Sequence, residues 1–312
     1  MCFSGKDELI PALEAIKSAC ITEIDTAQMY GTNEADLGAS NAASMGFMIS
    51  TKNYGGWKKG EALQPDALLR TTEESLQKLG VNQMDIFYIH GPDRTMEFKE
   101  WVPTVQKIYE QGKFRRFGVS NFSAREVRDL WEYSKAKDYV LPTVYQGNYN
   151  AVSRHIEATL FPTLRELGIA FYAYSPVAGG FLTKSAKALR EGTEGGRFTV
   201  DPEKETSLGT MYRNMYFKPT MLEALDRWGN LAQTQGVTNA ELAYRWVYYH
   251  SHINPELGDH LILGASRLGH IAPTVDGLKK GPLKPEVAKG VDDIWSLIEA
   301  DAIVNNFDEV KP

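Results

Sequence analysis

Cysteine is nearly missing: the 312 residues carry two, Cys2 and Cys20. Two thiols cannot build a disulfide framework, and such sparse use points to a reducing compartment, the cytoplasm. No apolar run approaches the roughly 20 residues of a membrane-spanning helix, and the first residues lack the charged and apolar regions of a signal peptide. Excess positive charge is lacking as well. The formal net charge is -6, no basic face offsets it, and nucleic acid is not expected as a partner. The one basic cluster, Lys113, Arg115 and Arg116, reads as a solvated loop face just before a strand. There is no P-loop, no zincin pattern, no nucleophile elbow and no Gly-x-Gly-x-x-Gly fingerprint. His250-Ser251-His252 has no acidic or cysteine partner at a ligand's spacing, so no metal is expected. Its place after Trp246 and Val247 reads as a helix end, where histidine suits the dipole.

What is present is ordinary in bulk and regular in order. Hydrophobic residues make up 43% and charged residues 24%, as in a soluble globular protein. Helix-period runs alternate with short apolar runs: Leu9, Leu13, Ile16 and Cys20; Leu68, Thr72, Leu76 and Leu79; Phe98, Val102, Val105 and Ile108; Ile156, Leu160, Leu164 and Leu167. Gly80, Gly112 and Gly168 are placed to end three of these, and Ser123 with Glu126 and Thr238 with Glu241 form capping boxes. Short glycine-rich joints between strands and helices argue for a parallel sheet covered by helices, a (β/α)8 barrel in one domain over residues 1–312. Seven strands are legible where a closed barrel needs eight. Residues 177–218 break the pattern, being rich in Gly, Thr, Arg and Lys without periodicity. A connection that long reads as functional. The run through Val291, Ile294 and Ile298 reads as a helix outside the barrel.

Four strands end in groups that one chemistry would use. Asp25 closes Glu23-Ile24-Asp25 and Tyr30 follows five positions later. Lys52 closes Ile49-Ser50-Thr51-Lys52, His90 closes the strand from Ile86, and Ser120-Asn121 closes the strand from Phe117. A phenol has an unperturbed pKa of about 10. A neighbouring ammonium favours the phenolate, and a carboxylate can hold the ammonium in place. Asp25, Tyr30 and Lys52 supply that trio, with His90 able to orient a carbonyl. The set suits proton donation to a carbonyl oxygen. No side chain delivers hydride, so a nicotinamide cofactor is implied. Singly, Lys52 reads as a surface lysine, His90 as a structural histidine and Asp25 as a turn cap; together, at the same ends of successive strands, they read as a site.

At these residues the chain resembles the aldo-keto reductases, NADPH-dependent enzymes built on the eightfold barrel, and within them the aflatoxin-aldehyde reductase branch. The strings from Leu141 to Asn150, from Phe171 to Gly180, and Tyr212-Arg213-Asn214 carry the likeness. It implies Tyr30 as general acid with Asp25, Lys52 and His90 completing a tetrad. It implies Ser120, Asn121 and Gln146 on the nicotinamide carboxamide and Tyr174 stacked on the ring. Ser175, Pro176, Ala178 and Gly180 would pass the pyrophosphate. Gly264, Ser266, Arg267 and His270 would meet the adenosine end, arginine being suited to its 2'-phosphate. Met29, Trp57 and Arg213 would line the substrate mouth. A small-molecule carbonyl substrate, a homodimer and no membrane partner are further implications.

Departures from the family pattern shape the expectations. Met1 falls on an internal methionine of the family's first strand, so that strand is expected to be missing, which accounts for the count of seven. His270 and Thr274 stand where Gln and Asn are usual. Met215 replaces an arginine, and residues 304–312 lack a terminal arginine, which favours a larger apolar carbonyl over a carboxylated aldehyde. Two alternatives stay open: a cofactor-binding partner module similar to potassium-channel beta subunits, and a catalytically impaired remnant.

Overall fold

The computed structural model describes residues 3, 5–194, 196–199, 203 and 206–309; Met1, Cys2, Ser4 and residues 310–312 lie outside them. The fold is α/β, of the (β/α)8-barrel type. Seven parallel strands stand in sequence order: β1 Glu23–Asp25, β2 Met48–Asn53, β3 Met84–Ile89, β4 Phe114–Ser120, β5 Pro142–Asn148, β6 Ala170–Tyr174 and β7 His260–Leu261. The helices are α1 Lys6–Ser18, α2 Asn33–Ala39, α3 Pro65–Leu79, α4 Phe98–Glu110, α5 Ala124–Ala136, α6 Ile156–Thr159, α7 Phe161–Leu167, α8 Ala186–Arg190, α9 Ser207–Tyr216, α10 Pro219–Gln235, α11 Asn239–His250, α12 Ile271–Lys279, α13 Pro285–Ile298 and α14 Asn306–Glu309.

By contacts the chain divides into two compact units. The first comprises Met1–Gln146, Thr163–Phe171 and Gly264–Pro273. Every residue of β3 is buried, as expected of a parallel strand covered on both faces. Gly118 in β4 is glycine because a Cβ there would stand 2.4 Å from the Tyr88 ring. Amphipathic helices follow from the 3.6-residue spacing: α3 buries Leu68, Thr72, Leu76 and Leu79 and is closed by Gly80 in the left-handed region at φ 67°. The capping box of Ser123 and Glu126 forms on α5, and a second, Glu97 with Glu100, forms on α4. Phe3 packs with Leu9, Leu13 and Ile16 of α1 and Ile24 of β1. Arg115 and Arg116 belong to β4 rather than to a loop. Arg116 binds Asp85 at 2.5 Å, and Lys113 binds Glu73 at 2.7 Å, so local acids, not solvent alone, neutralise this cluster.

The second unit comprises Gly147–Pro162, Tyr172–Leu263 and Thr274–Pro312. Its described residues, with the helix that follows Leu160, differ from expectation in four ways. The stretch 177–218 is not an irregular loop: it holds a 3-10 turn at Ala178–Thr183, then α8 and α9, with Ser185 and Thr206 as N-caps. Aromatic stacking of Phe181 on Tyr216, centroids 5.0 Å apart, gives it a core of its own. His250 does end α11, but its Nε2 accepts a hydrogen bond from the Leu283 N–H at 2.8 Å. Burial and the nearby Arg245 lower its pKa, so it serves as a neutral acceptor, not as a cation on the dipole. The last strand is shorter than the apolar triplet, although the Ile262 N–H still reaches the Ala173 carbonyl at 2.9 Å. The single helix expected through Ile156 and Leu167 is also interrupted at Leu160, because Pro162 has no N–H to donate and its ring crowds the preceding turn.

Candidate active site

The site is built at the carboxyl ends of β1 to β5, from side chains of the first unit. β1 ends at Asp25, and β2 pairs with it in the register Asp25 to Ser50, which carries Lys52 two residues further to the same end. Lys52 is wholly buried, 0% exposed. Its ammonium donates to Asp25 Oδ2 at 2.5 Å and to the Thr26 carbonyl at 2.8 Å. Two rings flank it, with centroids 5.3 Å away for Tyr30 and 5.5 Å for Tyr88, a cation–π arrangement. The surface-lysine reading of Lys52 is therefore wrong, for the strand end is roofed by these rings.

Tyr30 sits in a turn, its N–H on the Ala27 carbonyl at 3.0 Å, and the residue is 39% exposed. The opening of the site thus ends in a phenol with a buried cation behind it. His90, just past β3, meets Tyr30 edge-on with centroids 5.6 Å apart, and Trp57 at 6.1 Å. Burial, and secondarily the charge of Lys52, hold the His90 pKa well below 6.5, so the ring is neutral. Its Nδ1 is buried without a hydrogen-bond partner among the described residues. A bare lone pair is tolerated there better than an unpaired N–H, which favours the tautomer with its proton on Nε2. Burial likewise lowers the Lys52 pKa, while Asp25 and then Glu34 oppose the shift. Desolvation outweighs attraction, and Asp25 is the main group that opposes it.

Ser120 and Asn121 follow at the end of β4. Asn121 takes φ 65°, uncommon for a side chain other than glycine, and its amide donates to the His90 carbonyl at 2.8 Å and to Ser120 Oγ at 3.1 Å. Gln146, beside Ser120 in the β4–β5 register, donates to Asp25 Oδ1 at 2.9 Å. Neither this bond nor the place of Tyr88 beside Lys52 can be read from spacing along the chain. Met29 is exposed at 37%. The 3-10 turn that brings Trp57 forward, Gly55–Lys58, depends on Gly55, where a Cβ would lie 2.4 Å from the Gly91 carbonyl oxygen.

In the same unit, Gly264, Ser266 and Arg267 are exposed and lead through the 3-10 turn Leu268–His270 into α12. Ser266 Oγ lies 3.4 Å from His270 Nδ1. In the second unit, Ser175, Ala178, Gly179 and Gly180 all have positive φ, so Val177 and its neighbours run as a tight ribbon after Tyr174 and Pro176. A Cβ at Gly179 would strike the Tyr212 ring at 2.0 Å. Arg213 donates to the Thr199 carbonyl at 2.5 Å, and Met215 is buried. Among the described residues no cluster of His, Cys, Asp or Glu could hold a metal ion.

Compared with known proteins, the chain is 36% identical over 293 residues to the oxidoreductase sirO of Leptosphaeria maculans, covering 93% of this chain and 86% of that one. It is 37% identical over 293 residues to human aflatoxin B1 aldehyde reductase member 2, covering 89% and 79% respectively. Against the mouse protein of that name the identity is 36% over 291 residues, covering 89% and 77%. The Aldo/keto reductase family profile matches residues 3–296. With strand ends and profile in agreement over nearly its whole length, the chain belongs to the aldo/keto reductase family.

Proposed function

We propose that the protein reduces an aldehyde or ketone to its alcohol with NADPH, Tyr30 supplying the proton. The observation that carries this is the wholly buried Lys52, 2.5 Å from Asp25 and 5.3 Å from the Tyr30 ring centroid. A cation so placed favours negative charge on the phenol oxygen, which eases release of its proton to a carbonyl oxygen. His90, neutral with its proton on Nε2, donates a hydrogen bond to that same oxygen and fixes which face of the carbonyl is presented. Trp57 and Met29 give the mouth an apolar wall, in keeping with a larger apolar substrate.

The residues fit a nicotinamide dinucleotide. Gln146 Oε1 has no donor among the described residues, and with Ser120 and Asn121 it would hold the carboxamide. Tyr174 would stack on the ring, and the positive-φ ribbon around Ser175, Pro176, Ala178 and Gly180 offers backbone suited to a pyrophosphate. Arg267 and Ser266, at the start of a helical run, suit a phosphate, with His270 and Gly264 beside them. When bound, the dinucleotide supplies the hydride. A cytoplasmic setting and a homodimer belong to the same reading; among the described residues no helix is long and apolar enough to cross a membrane.

Tyr30→Phe tests it. Turnover of an aromatic aldehyde should fall by about 10²–10⁴-fold, while NADPH still quenches intrinsic fluorescence with unchanged affinity. Near-full activity in that variant would refute the assignment.

A further inference from the structure

A carboxylate oxygen can only accept, so the bond between Asp25 Oδ1 and Gln146 fixes the amide orientation: the atom at 2.9 Å is the donor Nε2. The two residues are 121 positions apart. Their strands, β1 and β5, have three others between them in the sheet order, so the bond is a chord across the curl of the first unit. Gln146 is buried at 3% exposure. Asp25 thereby has both oxygens committed, Oδ2 to Lys52 and Oδ1 to Gln146.

We propose that Gln146 is a positioning residue. Its amide N–H locks the Asp25 carboxylate in the orientation that holds the Lys52 ammonium beside Tyr30, and its Oε1 is left for the nicotinamide. One side chain would then join cofactor seating to the cation that assists the phenol. Without the lock, Asp25 can rotate toward solvent, since its side chain is 22% exposed, and Lys52 loses the anion that favours its charged form. This inference rests on the reductase reading above.

Gln146→Glu separates the two faces of the side chain, because it keeps acceptor oxygens toward the carboxamide and replaces the donor toward Asp25. In the full chain with NADPH and an aromatic aldehyde, we expect NADPH affinity to change by under about threefold, while kcat falls by about tenfold or more at pH 8. The loss should shrink toward pH 5, where a protonated glutamic acid can again donate to Asp25. A kcat loss that is independent of pH, or one confined to KM and NADPH affinity, would overturn the positioning role. In the protein without ligand, thermal unfolding of Gln146→Leu, Asp25→Asn and the double variant should show strongly non-additive shifts in Tm. Additive shifts would also overturn it. Wild-type protein that binds no NADPH would refute the reductase reading instead, and the unfolding cycle would still decide the lock.

Discussion

Lys52 and Arg245 are the buried cations among the described residues, and they serve opposite ends. Arg245, on α11, is 4% exposed. Its guanidinium is spent on Glu241 at 2.9 Å and on the Gly281 and Pro282 carbonyls at 2.8 Å each. Glu241 is answered again by Lys280 at 2.8 Å. Every strong contact is to a group that stays put. Lys52 has fewer partners, one carboxylate and one carbonyl, and its other neighbours are the faces of Tyr30 and Tyr88. A cation closed off by carbonyls fastens chain segments together. A cation left against an exposed phenol has its field pointed at a group that can exchange a proton. Burial alone does not separate structure from chemistry; the neighbour does.

Removing each charge in turn tests this contrast most severely. Lys52→Met should cut turnover by about 10²–10⁴-fold, since Tyr30 loses the cation behind it, with a smaller effect on urea unfolding because Asp25 keeps Gln146 and some solvent. Arg245→Met should do the reverse: a loss of about 3 kcal/mol in unfolding free energy, from orphaned carbonyls and a half-buried Glu241 left with one side-chain partner, and turnover like wild type. If both variants lost stability equally and activity equally, the distinction between the two cations would fail.

Gly118→Ala approaches Lys52 from the aromatic side. The added Cβ would fall 2.4 Å from the Tyr88 ring, and the ring flanks Lys52, so displacing it disturbs the ammonium's surroundings without touching Asp25 or Tyr30. Overpacking of this kind costs about 1–3 kcal/mol, read by urea unfolding. A fall in kcat exceeding that in Tyr88→Phe, which keeps the ring, would show that the ring's position matters to Lys52.

The cluster of strand-end polar groups and the barrel are legible in the sequence because both are periodic. Strand ends recur at the same face of a parallel barrel, and Asp25, Lys52, His90 and Ser120 each close an apolar run. The Gln146–Asp25 bond is not legible, because it depends on how far the sheet curls between β1 and β5, which spacing along the chain does not encode. Tyr88 is hidden as one more apolar residue of a buried strand, its partner being a missing side chain at Gly118. The helices within residues 177–218 escape a periodicity search because they are short, five residues in α8 and ten in α9, and the rings of α9 pack on Phe181 and Phe198 of the same stretch. Their N-caps, Ser185 and Thr206, are the available signal. Pro162 similarly marks the break between α6 and α7 in the sequence itself.

A slighter effect concerns His90, and its sign follows from burial. The folded ring resists protonation until well below pH 6.5, whereas an unfolded histidine binds its proton near that value. Below pH 6.5 the unfolded state therefore carries the extra proton, and stability is lost as the pH falls toward the folded pKa, by at most about 1.4 kcal/mol per pH unit. Lys52, also lowered, acts in the same direction in its own window, from its folded pKa up to 10.5, and is common to both proteins compared. His90→Phe keeps a ring against Tyr30 and Trp57 but has nothing to titrate. The unfolding free energy in urea should thus fall between pH 7 and pH 5 by about 1–2 kcal/mol more in the wild type than in the variant. Carboxylates contribute equally to both and cancel. Parallel curves would mean that His90 takes up its proton in the folded state near its ordinary pKa, and the neutral Nε2–H donor proposed for the carbonyl would then be an imidazolium instead.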